Sequence, residues 1–472
     1  MTWRYIAQRA TTREWLDWDL DLRRDELTRA LSGPGSLRGT LSPDVGRLRA
    51  PDGRLLLEPW GTLLYAEADG QIRWGGIVVS SQTAGATWSI EAAGMTTYPH
   101  GLPYLDEWSR VQVDPANAIR EIWRHVQDQP DGDLGMIVDP TTTPVRLGTP
   151  GVPSYQEVQL DGAWVRRDSV PASRIVPSAQ AKLAAGMDNN DTTLTLQAID
   201  KFDQLSPPYL VTIGSETVRV NGRSGRKLTG LQRGIGSSTA AGHGKGVYVK
   251  HAGTPVRTVD AVPAEPYLLA WWEAQDCGGE IDTIARETPL DYAEEHAWAG
   301  DQVEHRLRLG YPRLGRRRTD LAFEQGVNVV SLVGVDRDGA EYANEVIGLG
   351  SGEGRKALIR RHPTRDGRLR RAAVYTDKSI RHAPRLDSIC RAELGARQHI
   401  DAITSVEVVD HPHARIGSWQ MGDDVLIRAH TPWAGEVSLW HRIVGDSLLS
   451  DTRASLTLRR SDSFNYGTYG DA

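Results

Sequence analysis

The sequence predicts a mainly β protein with α/β elements that is divided into several domains. Short runs in which alternate residues are apolar recur along the chain between turn sequences, whereas few segments show helical spacing. The length of 472 residues exceeds what one hydrophobic core usually organises. Because 39% of the residues are hydrophobic and 25% are charged, the composition is ordinary for a folded chain, and we do not expect disorder.

Charge and cysteine content argue against several classes of protein. The net charge of −6 provides no overall basic field of the kind that nucleic-acid binding requires, although basic residues can still concentrate locally. Cys277 and Cys390 are the only cysteines, so a disulfide framework is excluded, and their spacing indicates no zinc site. The sequence has no apolar run long enough to span a bilayer and opens on no secretory signal, so we expect neither membrane insertion nor Sec export.

The first hundred residues show the alternation that is typical of β-strands. Ile72 and Trp74, for example, directly follow the turn sequence Asp69-Gly70. An antiparallel barrel or sandwich is the natural interpretation of this region.

A helix follows, with clear signals at its N-terminus. Asp114 can cap it, and Pro115 suits its first turn. Four apolar residues fall on one face of this helix: Ile119, Ile122, Trp123 and Val126. We expect the helix to end before the turn at 130–132 and a strand to follow at 136–138. Together they predict a small α/β domain whose remainder lies elsewhere in the sequence.

Between about residue 155 and residue 256 the composition changes, which indicates an inserted module. Five of the seven Lys lie in this segment, and no Trp occurs between Trp164 and Trp271. Short alternating runs and the hairpin sequence Asn221-Gly222 predict a small β-barrel. We expect Leu228 and Leu231 to pack its core and Gly230 and Gly234 to permit its tight turns.

Three further segments carry predictions of secondary structure. Residues 266–272 look helical, and residues 327–333 form the clearest buried strand of a second β region. A helix containing Leu386, Ile389, Cys390 and Leu394 precedes a final set of strands, and the last dozen residues are expected to be a loose tail.

Nearly the whole chain resembles the minor tail proteins of long-tailed actinobacterial phages. These are related to the hub family that includes the baseplate hub of contractile tails and the N-terminal hub region of tail-associated lysins. The resemblance is carried by Leu31-Ser32-Gly33-Pro34-Gly35, Trp60-Gly61-Thr62, Tyr98-Pro99-His100-Gly101, Val113-Asp114-Pro115, and Gly422-Asp423-Asp424-Val425 followed by Arg442-Ile443. The order and spacing of these motifs are more specific than any one of them.

The insert resembles a small β module that is common in phage tail proteins. The residues that carry this second resemblance are Ile213-Gly214-Ser215-Glu216, Leu228-Thr229-Gly230-Leu231-Gln232-Arg233-Gly234, Ala240-Ala241-Gly242-His243 and Gly246. It is the sharper of the two.

The hub resemblance implies two β-barrels related to the tail-tube fold, with three chains placing six barrels in a ring. The implied domains are a first tube-like barrel at 1–106, a small α/β domain at 107–154 plus 257–302, the inserted barrel at 155–256, a second tube-like barrel with a helix at 303–460, and a loose tail at 461–472. A ring covers strand edges that would otherwise aggregate, and the fifteen Trp offer apolar material for its contacts.

The resemblance also implies partners and a location. The chain would form a homotrimer at the tail tip of the virion, after assembly in the host cytoplasm. Its partners would be the distal tail protein, the tape-measure protein and other minor tail or fibre proteins, with transient contact to DNA during ejection.

A search for a catalytic or metal site gives three candidates, each with a plainer interpretation. The glycine-rich run at 348–356 departs from a phosphate-binding loop, because Arg355-Lys356 stands where Gly-Lys-Ser/Thr is required, so a loop or subunit-contacting hairpin is favoured. His411 and His413 could ligate a metal with Asp410 orienting one ring, but a third ligand is not identifiable. Glu294 and Glu295 are more typical of a solvated helix face than of an acid/base pair. We therefore predict no catalytic, cofactor-binding or metal-binding residue and no cofactor.

The strongest local charge feature is a basic cluster: Arg355, Lys356, Arg360, Arg361, Arg365, Arg368, Arg370 and Arg371. Three interpretations are open: the cluster could contact an acidic neighbouring protein, it could contact transiting DNA, or it could be an exposed hairpin with Arg on its solvent face. The exposed hairpin is the favoured interpretation.

Two functions compete with a structural hub. The first is a receptor-binding or glycan-binding tail protein, with the insert and exposed Trp side chains stacking on sugars. The second is a cell-wall hydrolase, since some hub relatives carry a lytic domain beyond the hub. We expect this chain to end with the hub and to be no enzyme.

Overall fold

The structure, a computed structural model, describes residues 3–42, 49–160, 162–337, 339, 342–352, 354, 357–377, 380, 383–398, 401–433 and 435–461. The chain divides into two compact units, one of Met1–Thr149 with Pro266–Ala472 and the other of Pro150–Glu265. Strands hold 47% of the described residues and helices 13%, which confirms the mainly β prediction. In the part of the chain that is described, no helix is long and apolar enough to cross a membrane.

The elements follow in chain order. The first part of the larger unit contains β1 Trp3–Arg9, β2 Trp15–Asp17, β3 Leu22–Ala30, β4 Ser36–Leu41, β5 Thr62–Ala68, β6 Gln71–Ala84, β7 Thr87–Gly94, β8 Glu107–Arg110, α1 Pro115–Gln127 and β9 Met136–Val138. The smaller unit contains β10 Tyr155–Leu160, β11 Ala163–Arg166, β12 Ala179–Lys182, β13 Thr193–Thr195, β14 Tyr209–Ile213, β15 Glu216–Val220, β16 Gly222–Ser224, β17 Lys227–Thr229, β18 Tyr248–His251 and β19 Val256–Val259. The second part of the larger unit contains β20 Tyr267–Ala270, α2 Cys277–Glu287, β21 Asp291–Ala299, β22 Gln302–Gly310, β23 Arg317–Glu324, β24 Asp336–Arg337, β25 Glu345–Leu349, β26 Ile359–Pro363, β27 Ala372–Thr376, α3 Ala383–Arg397, β28 Asp401–Ala402, β29 Ser405–Val409, β30 Asp424–Thr431, β31 Gly435–Ser450 and β32 Arg453–Arg460.

One large sheet joins the N-terminal and C-terminal β regions of the larger unit. Its strands follow the order β2-β1-β5-β6-β7-β4-β3-β31-β30-β23, with β32 paired to β31 and β29 paired to β32. The two regions meet where β3 pairs antiparallel with β31, and Arg29 lies opposite Asp446 there. The two β regions are therefore hydrogen-bonded neighbours, while the number of barrels that they form stays a prediction.

Two hydrophobic cores lie on opposite faces of the N-terminal strands. The first core contains side chains from both β regions, including Leu27, Trp74, Phe323 and Ile427. The second core contains the apolar faces of α1 and α2 together with Tyr65 and other residues of the N-terminal strands. Because both faces of β5 are covered, all seven of its residues are buried.

Helix α1 confirms the sequence prediction for this segment. The Asp114 carboxylate accepts a hydrogen bond from the Ala116 amide at 2.9 Å and so caps the helix, and Pro115 is its first residue. The apolar face that was predicted, which comprises Ile119, Ile122, Trp123 and Val126, is buried.

Two secondary-structure predictions are wrong. Residues 266–272 do not form a helix, because β20 pairs with β8 and a short 3₁₀ turn follows at Trp271–Glu273. Residues 327–333 do not form a strand. The Asn328 side chain accepts from the Glu324 amide and donates to the Ala322 carbonyl, which stabilises a turn instead. Only Val329 and Val333 of this segment's apolar residues are buried.

The hairpin of β21 and β22 connects the α/β elements to the second β region. Strand β22 pairs antiparallel with β21 and parallel with β9. The predicted limit at residue 302 lies in this hairpin, and the domain limits as a whole stay predictions.

A separate three-stranded sheet, with the order β26-β25-β27, packs against α3. The residues predicted for the buried face of this helix, Leu386, Ile389, Cys390 and Leu394, form a small core with Val346. The prediction of a helix here is confirmed.

The smaller unit has its own core of sixteen buried residues, built from short antiparallel strands. Its entry and exit segments pair with each other, since Tyr155 lies opposite Val259 in β10 and β19. Leu228 and Leu231 are buried in the core, and Gly230 and Gly234 both have a φ of +63°, as predicted. This unit therefore satisfies its backbone hydrogen bonds largely with its own strands.

Candidate functional site

The residues that carry the C-terminal part of the hub resemblance meet in a buried charge cluster. Arg442 is fully buried and forms an ion pair with Asp291 of β21. Its guanidinium also donates to the Gly422 carbonyl at 3.1 Å and to the Leu314 carbonyl at 2.8 Å. Gly422 has a φ of +91°, and a Cβ there would lie 2.6 Å from the Leu314 oxygen, so this position requires glycine.

Asp423 extends this cluster to the edge of the large sheet. Its carboxylate accepts from the Arg318 guanidinium at 2.9 Å, and from the backbone amides of Arg316 and Gln420 at 3.0 Å each. Arg318 lies on β23, whereas Asp423 directly precedes β30. The charges hold the register of these two strands, because any slip would leave a buried ion without a partner.

A second charged contact marks the place where β3 meets β31. Asp446 is buried and accepts from the Arg29 side chain at 3.0 Å and from the Trp419 indole at 2.9 Å. Nearby, the amide of Leu31 donates to the Val444 carbonyl, and the amide of Ser32 donates to the Tyr292 carbonyl. The first resemblance motif therefore connects β3 to β21 and β31.

A cleft of about 570 Å³ lies in the larger unit, among residues of β6, β21 and the loop before β30. Arg73, Glu294, His296, Trp298 and Gln420 are among the residues that line it. No Ser, Thr or Cys is among the described residues of its lining.

Behind this cleft runs a chain of hydrogen bonds whose direction is fixed. The Gln8 amide nitrogen donates to the Arg13 carbonyl, so the Gln8 oxygen accepts from the Tyr65 hydroxyl at 2.9 Å. Tyr65 must then accept from Nε2 of His305 at 3.2 Å, which leaves Nδ1 of His305 to accept from Nδ1 of His296 at 3.0 Å. Burial lowers the pKa of His305 to about 2, so this ring is neutral and acts as a fixed link.

Glu294 and Glu295 lie on strand β21, so the interpretation as a helix face is wrong. The Glu294 carboxylate accepts from both the amide and the hydroxyl of Thr96, at 2.6 and 2.5 Å. Glu295 forms an ion pair with Arg308 at 2.9 Å. Both carboxylates therefore hold structural contacts, and the hairpin that carries them is anchored to the N-terminal β region.

The glycine-rich run begins at the end of β25 rather than before a helix. Gly348 packs against α3 so closely that a Cβ would lie 2.4 Å from the Cys390 sulfur. Glu353, Arg355 and Lys356 lie outside the described residues. The position of Gly348 gives this glycine a packing role.

His411 and His413 face each other across a tight turn. Their ring centroids are 4.8 Å apart, and the amide of His413 donates to Nδ1 of His411 at 3.3 Å. Asp410 does not orient either ring, because its carboxylate is held by Arg415 at 2.7 Å and by the Ile416 amide at 3.0 Å. Within the described residues, no group of three potential ligands is placed to hold a metal ion.

The two cysteines are both buried and free. Burial raises the pKa of the Cys277 thiol to about 12 and that of Cys390 to about 11. Both thiols are therefore protonated at neutral pH, which makes them poor nucleophiles.

The described members of the basic cluster lie on β26 and in the loop that connects β26 to β27. Arg361 and Arg370 both donate to Glu345, while Arg360 pairs with Asp387 and Arg368 with Asp366. The hydrogen bonds from Arg370 and Arg361 lower the pKa of the Glu345 carboxyl. Four of the six described arginines are thus partly neutralised. Arg365 and Arg371 have no carboxylate partner in the described part of the chain, and Arg355 and Lys356 lie outside it.

In the smaller unit, the residues that carry the module resemblance converge on one carboxylate. Glu216 is buried and accepts from the Arg233 side chain at 2.7 Å and from Nε2 of His243 at 2.7 Å. The amides of Gly234 and Ala241 donate to the same carboxylate at 3.0 and 3.2 Å. Burial alone would raise the pKa of Glu216, but these hydrogen bonds outweigh it and lower the pKa to about 2.

Sequence reasoning missed the roles of Glu216, Arg442 and Asp423, although all three lie in motifs that it singled out. The available signal was the motif itself, since a charged residue in a recurrent motif is expected to have an ion-pair or hydrogen-bond partner. The partners are far apart in sequence, so only the fold identifies them.

The structure is similar to three solved tail proteins. The 43 kDa tail protein of prophage MuSo2 from Shewanella oneidensis is 8% identical over 98% of this chain and 99% of its own, with a TM-score of 0.49. The tail protein from Neisseria meningitidis MC58 is 11% identical over 98% of each chain, with a TM-score of 0.47. Prophage tail protein gp18 from Listeria monocytogenes EGD-e is 9% identical over 97% of this chain and 95% of its own, with a TM-score of 0.45. No protein-family model and no curated protein matches the sequence.

Proposed function

We propose that this chain is a structural hub protein of a phage tail tip, which assembles as a threefold ring and joins the tail tube and the tape-measure protein to distal tip proteins. The observation that carries this proposal is the sheet in which β3 pairs with β31, because it makes the N-terminal and C-terminal β regions direct neighbours. A ring of six β regions from three chains, as the sequence resemblance implies, needs this arrangement within each chain.

The use of buried charge supports a structural role. Arg442, Asp423 and Asp446 each tie together segments that are distant in sequence. Glu294 in the cleft is likewise occupied by hydrogen bonds to Thr96. Charged groups that hold a register in this way specify geometry rather than react with a substrate.

The main test is the mass and symmetry of the assembled protein. We expect native mass spectrometry and electron microscopy of the purified chain, alone or with its tail neighbours, to show three chains of 52.0 kDa around a central channel. A tip reconstruction with one or six copies of the chain would contradict the proposal.

A receptor-binding or glycan-binding role is the second candidate, and one feature favours it. Trp271 and Trp272 are 59% and 50% exposed, with their ring centroids 5.6 Å apart. Exposed indoles of this kind stack on sugars as readily as on protein. Glycan-array binding by the parent chain that is lost in the double variant Trp271→Ala, Trp272→Ala would support this role. If the parent chain binds no glycan, this role is contradicted, and the two indoles would instead contact a neighbouring protein.

The chain is proposed to be no enzyme, and the hydrolase alternative has a direct test. The purified protein should release no soluble fragments from peptidoglycan and should not cleave peptide substrates. Turnover that a single Glu294→Gln or His296→Gln substitution abolishes would overturn this part of the proposal.

A further inference from the structure

The basic sheet of β26, β25 and β27 has one covered face and one open face. Val346 and Gly348 of the central strand lie on the face that packs against α3. On the other face, Arg361, Ile347 and Val374 lie side by side in register. Val374 is 62% exposed and Ile359 50%, so this face presents apolar side chains to the outside.

Arginine is abundant on β26 and in the loop that connects β26 to β27, and its charge is only partly balanced. Residues 357–371, which the structure describes, contain six Arg and one Asp, which is a net charge of +5. Since the whole chain carries −6, the rest of the chain carries −11. Arg365 and Arg371 are exposed and have no carboxylate partner in the described part of the chain. We call this surface, made of Ile347, Leu349, Ile359–Val374 and their side chains, the basic face.

A segment rich in aspartate follows β2, the end strand of the large sheet. Asp19, Asp21 and Asp25 are exposed, and none of them forms an ion pair within the described residues. Between the first of these aspartates and the end strand β2 lies Trp18, which is 44% exposed and stacks on Trp298 with a centroid distance of 6.1 Å. We call residues 17–25, which contain four Asp and two Arg and so carry a net charge of −2, the acidic segment.

We propose that the basic face of one chain binds the acidic segment of a second copy of this chain. The aspartates meet the unpaired guanidinium groups, and the exposed indole of Trp18 packs on the aliphatic and guanidinium groups of the basic face. The inference rests on the proposed ring and names the surfaces that close it.

The two surfaces also decide the symmetry of the contact. A twofold contact that placed the basic face on itself would bring Arg365 and Arg371 of two chains together, which like charge opposes. A head-to-tail contact between two different surfaces avoids this and closes into a ring when the rotation permits. Charge complementarity therefore favours a cyclic assembly.

The experiment is a charge swap in the full-length chain. Arg365→Glu with Arg371→Glu should raise the dissociation constant of the assembly at least about tenfold, and so should Asp19→Arg with Asp21→Arg. All four substitutions in one chain should restore assembly, because the charges are exchanged and the contact geometry is kept. Arg219→Glu with Lys227→Glu, at exposed positions of the smaller unit, is the matched control and should assemble like the parent chain. Sedimentation velocity over a range of protein concentrations measures each constant, and far-ultraviolet circular dichroism confirms that each variant is folded.

The outcomes separate this inference from the proposed function. If the parent chain forms a ring and the two reversed variants form it equally well, the basic face is not the ring contact and only this inference fails. If both variants dissociate but the fourfold variant does not recover, the two surfaces do not meet and the inference also fails. A parent chain that stays monomeric with its tail neighbours present overturns both proposals. If Arg365→Glu with Arg371→Glu leaves the ring intact but abolishes binding of a duplex oligonucleotide, the face contacts DNA instead.

Discussion

Glu216 in the smaller unit and Glu345 in the larger unit are both buried carboxylates that accept hydrogen bonds from two side chains, yet their surroundings differ. The partners of Glu216 are Arg233 and His243, whose side chains are only 8% and 9% exposed. The partners of Glu345 are Arg361 and Arg370, which are 60% and 64% exposed. The Glu216 carboxylate therefore lies at the centre of a closed network. The Glu345 carboxylate instead binds two arginines whose side chains are largely exposed to water.

The difference shows that the burial of the partner, more than the burial of the carboxylate, decides what an ion pair does. When Glu216 is removed, Arg233 is left as a buried charge without its partner, which is costly. When Glu345 is removed, water can solvate Arg361 and Arg370 at little cost. The first arrangement specifies a fold, whereas the second presents charge to a neighbour.

The largest effect is expected when charge enters the core that surrounds the closed network. Leu231 is 5% exposed, so Leu231→Asp buries an unpaired carboxylate and should destabilise the smaller unit by about 5 kcal/mol, enough to unfold it. Hydrogen exchange measured by mass spectrometry should show rapid exchange through residues 179–249 only. Leu210→Asp is the control, because Leu210 is 48% exposed on the neighbouring strand β14 and its substitution should change little.

The same variant tests the proposal that the smaller unit is an insert that the ring does not need. Leu231→Asp should assemble like the parent chain, and so should a chain in which a short Gly/Ser linker replaces residues 152–262. Val152 and Val262 form a β-bridge, so the two ends that the linker joins are already adjacent. If the shortened chain is insoluble or monomeric, the segment is integral to the hub.

A smaller loss is expected when the closed network loses only its central charge. Glu216→Gln keeps the shape of the side chain but leaves Arg233 and His243 without a carboxylate, which should cost the smaller unit about 3 kcal/mol. Glu157→Gln is the matched control, since the Arg257 that pairs with Glu157 is 51% exposed. Hydrogen exchange of residues 209–249 should accelerate strongly in the first variant and hardly at all in the second. Equal acceleration in both would show that partner burial does not decide the outcome.

Acid should reproduce the loss of this charge without a mutation. The folded pKa of Glu216, about 2, lies below its ordinary value of 4.5, so the carboxylate stabilises the folded unit fully above about pH 4.5. This stabilisation, about 3 kcal/mol for the cited shift, is lost progressively as the pH falls from 4.5 to 2. Hydrogen exchange corrected for its intrinsic pH dependence should show this loss in the parent chain. Glu216→Gln should lack it, and an equal acid response in the variant would assign the effect to other groups.

Features with a local cause could be predicted from the sequence. Helix α1 was predictable because Asp114, Pro115 and the spacing of its apolar residues all act within a few turns. Gly230 and Gly234 were predictable for the same reason, since a positive φ is a property of one residue. The failure at residues 327–333 is also local. The β-branched run pointed to a strand, but the single side chain of Asn328 bonds back to two backbone groups of β23, the Glu324 amide and the Ala322 carbonyl.

Features that depend on distant partners could not be predicted. Judged from its own strand alone, Glu216 looks like a surface residue. Its hydrogen-bond donors lie in a later segment of the chain that begins at Arg233 and ends at His243. The joining of β3 to β31 requires residues that lie more than four hundred positions apart, and no local pattern encodes that pairing. Motif resemblance marked Glu216, but its role depends on donors that only the fold brings to it.

The smallest effect is expected at the open network, and it separates stability from assembly. Glu345→Gln leaves Arg361 and Arg370 to solvent, so hydrogen exchange in β25, β26 and β27 should change by no more than a factor of about three. Because the same substitution removes the negative charge that Arg361 and Arg370 of the basic face share, it should strengthen rather than weaken assembly if an acidic segment docks there. Sedimentation velocity of Glu345→Gln beside Glu157→Gln, which changes the same net charge in the smaller unit, isolates the local effect from the global one. Weaker assembly by Glu345→Gln alone would mean that Glu345 positions the two arginines for the contact, and the simple account of an open, charge-presenting face would be wrong.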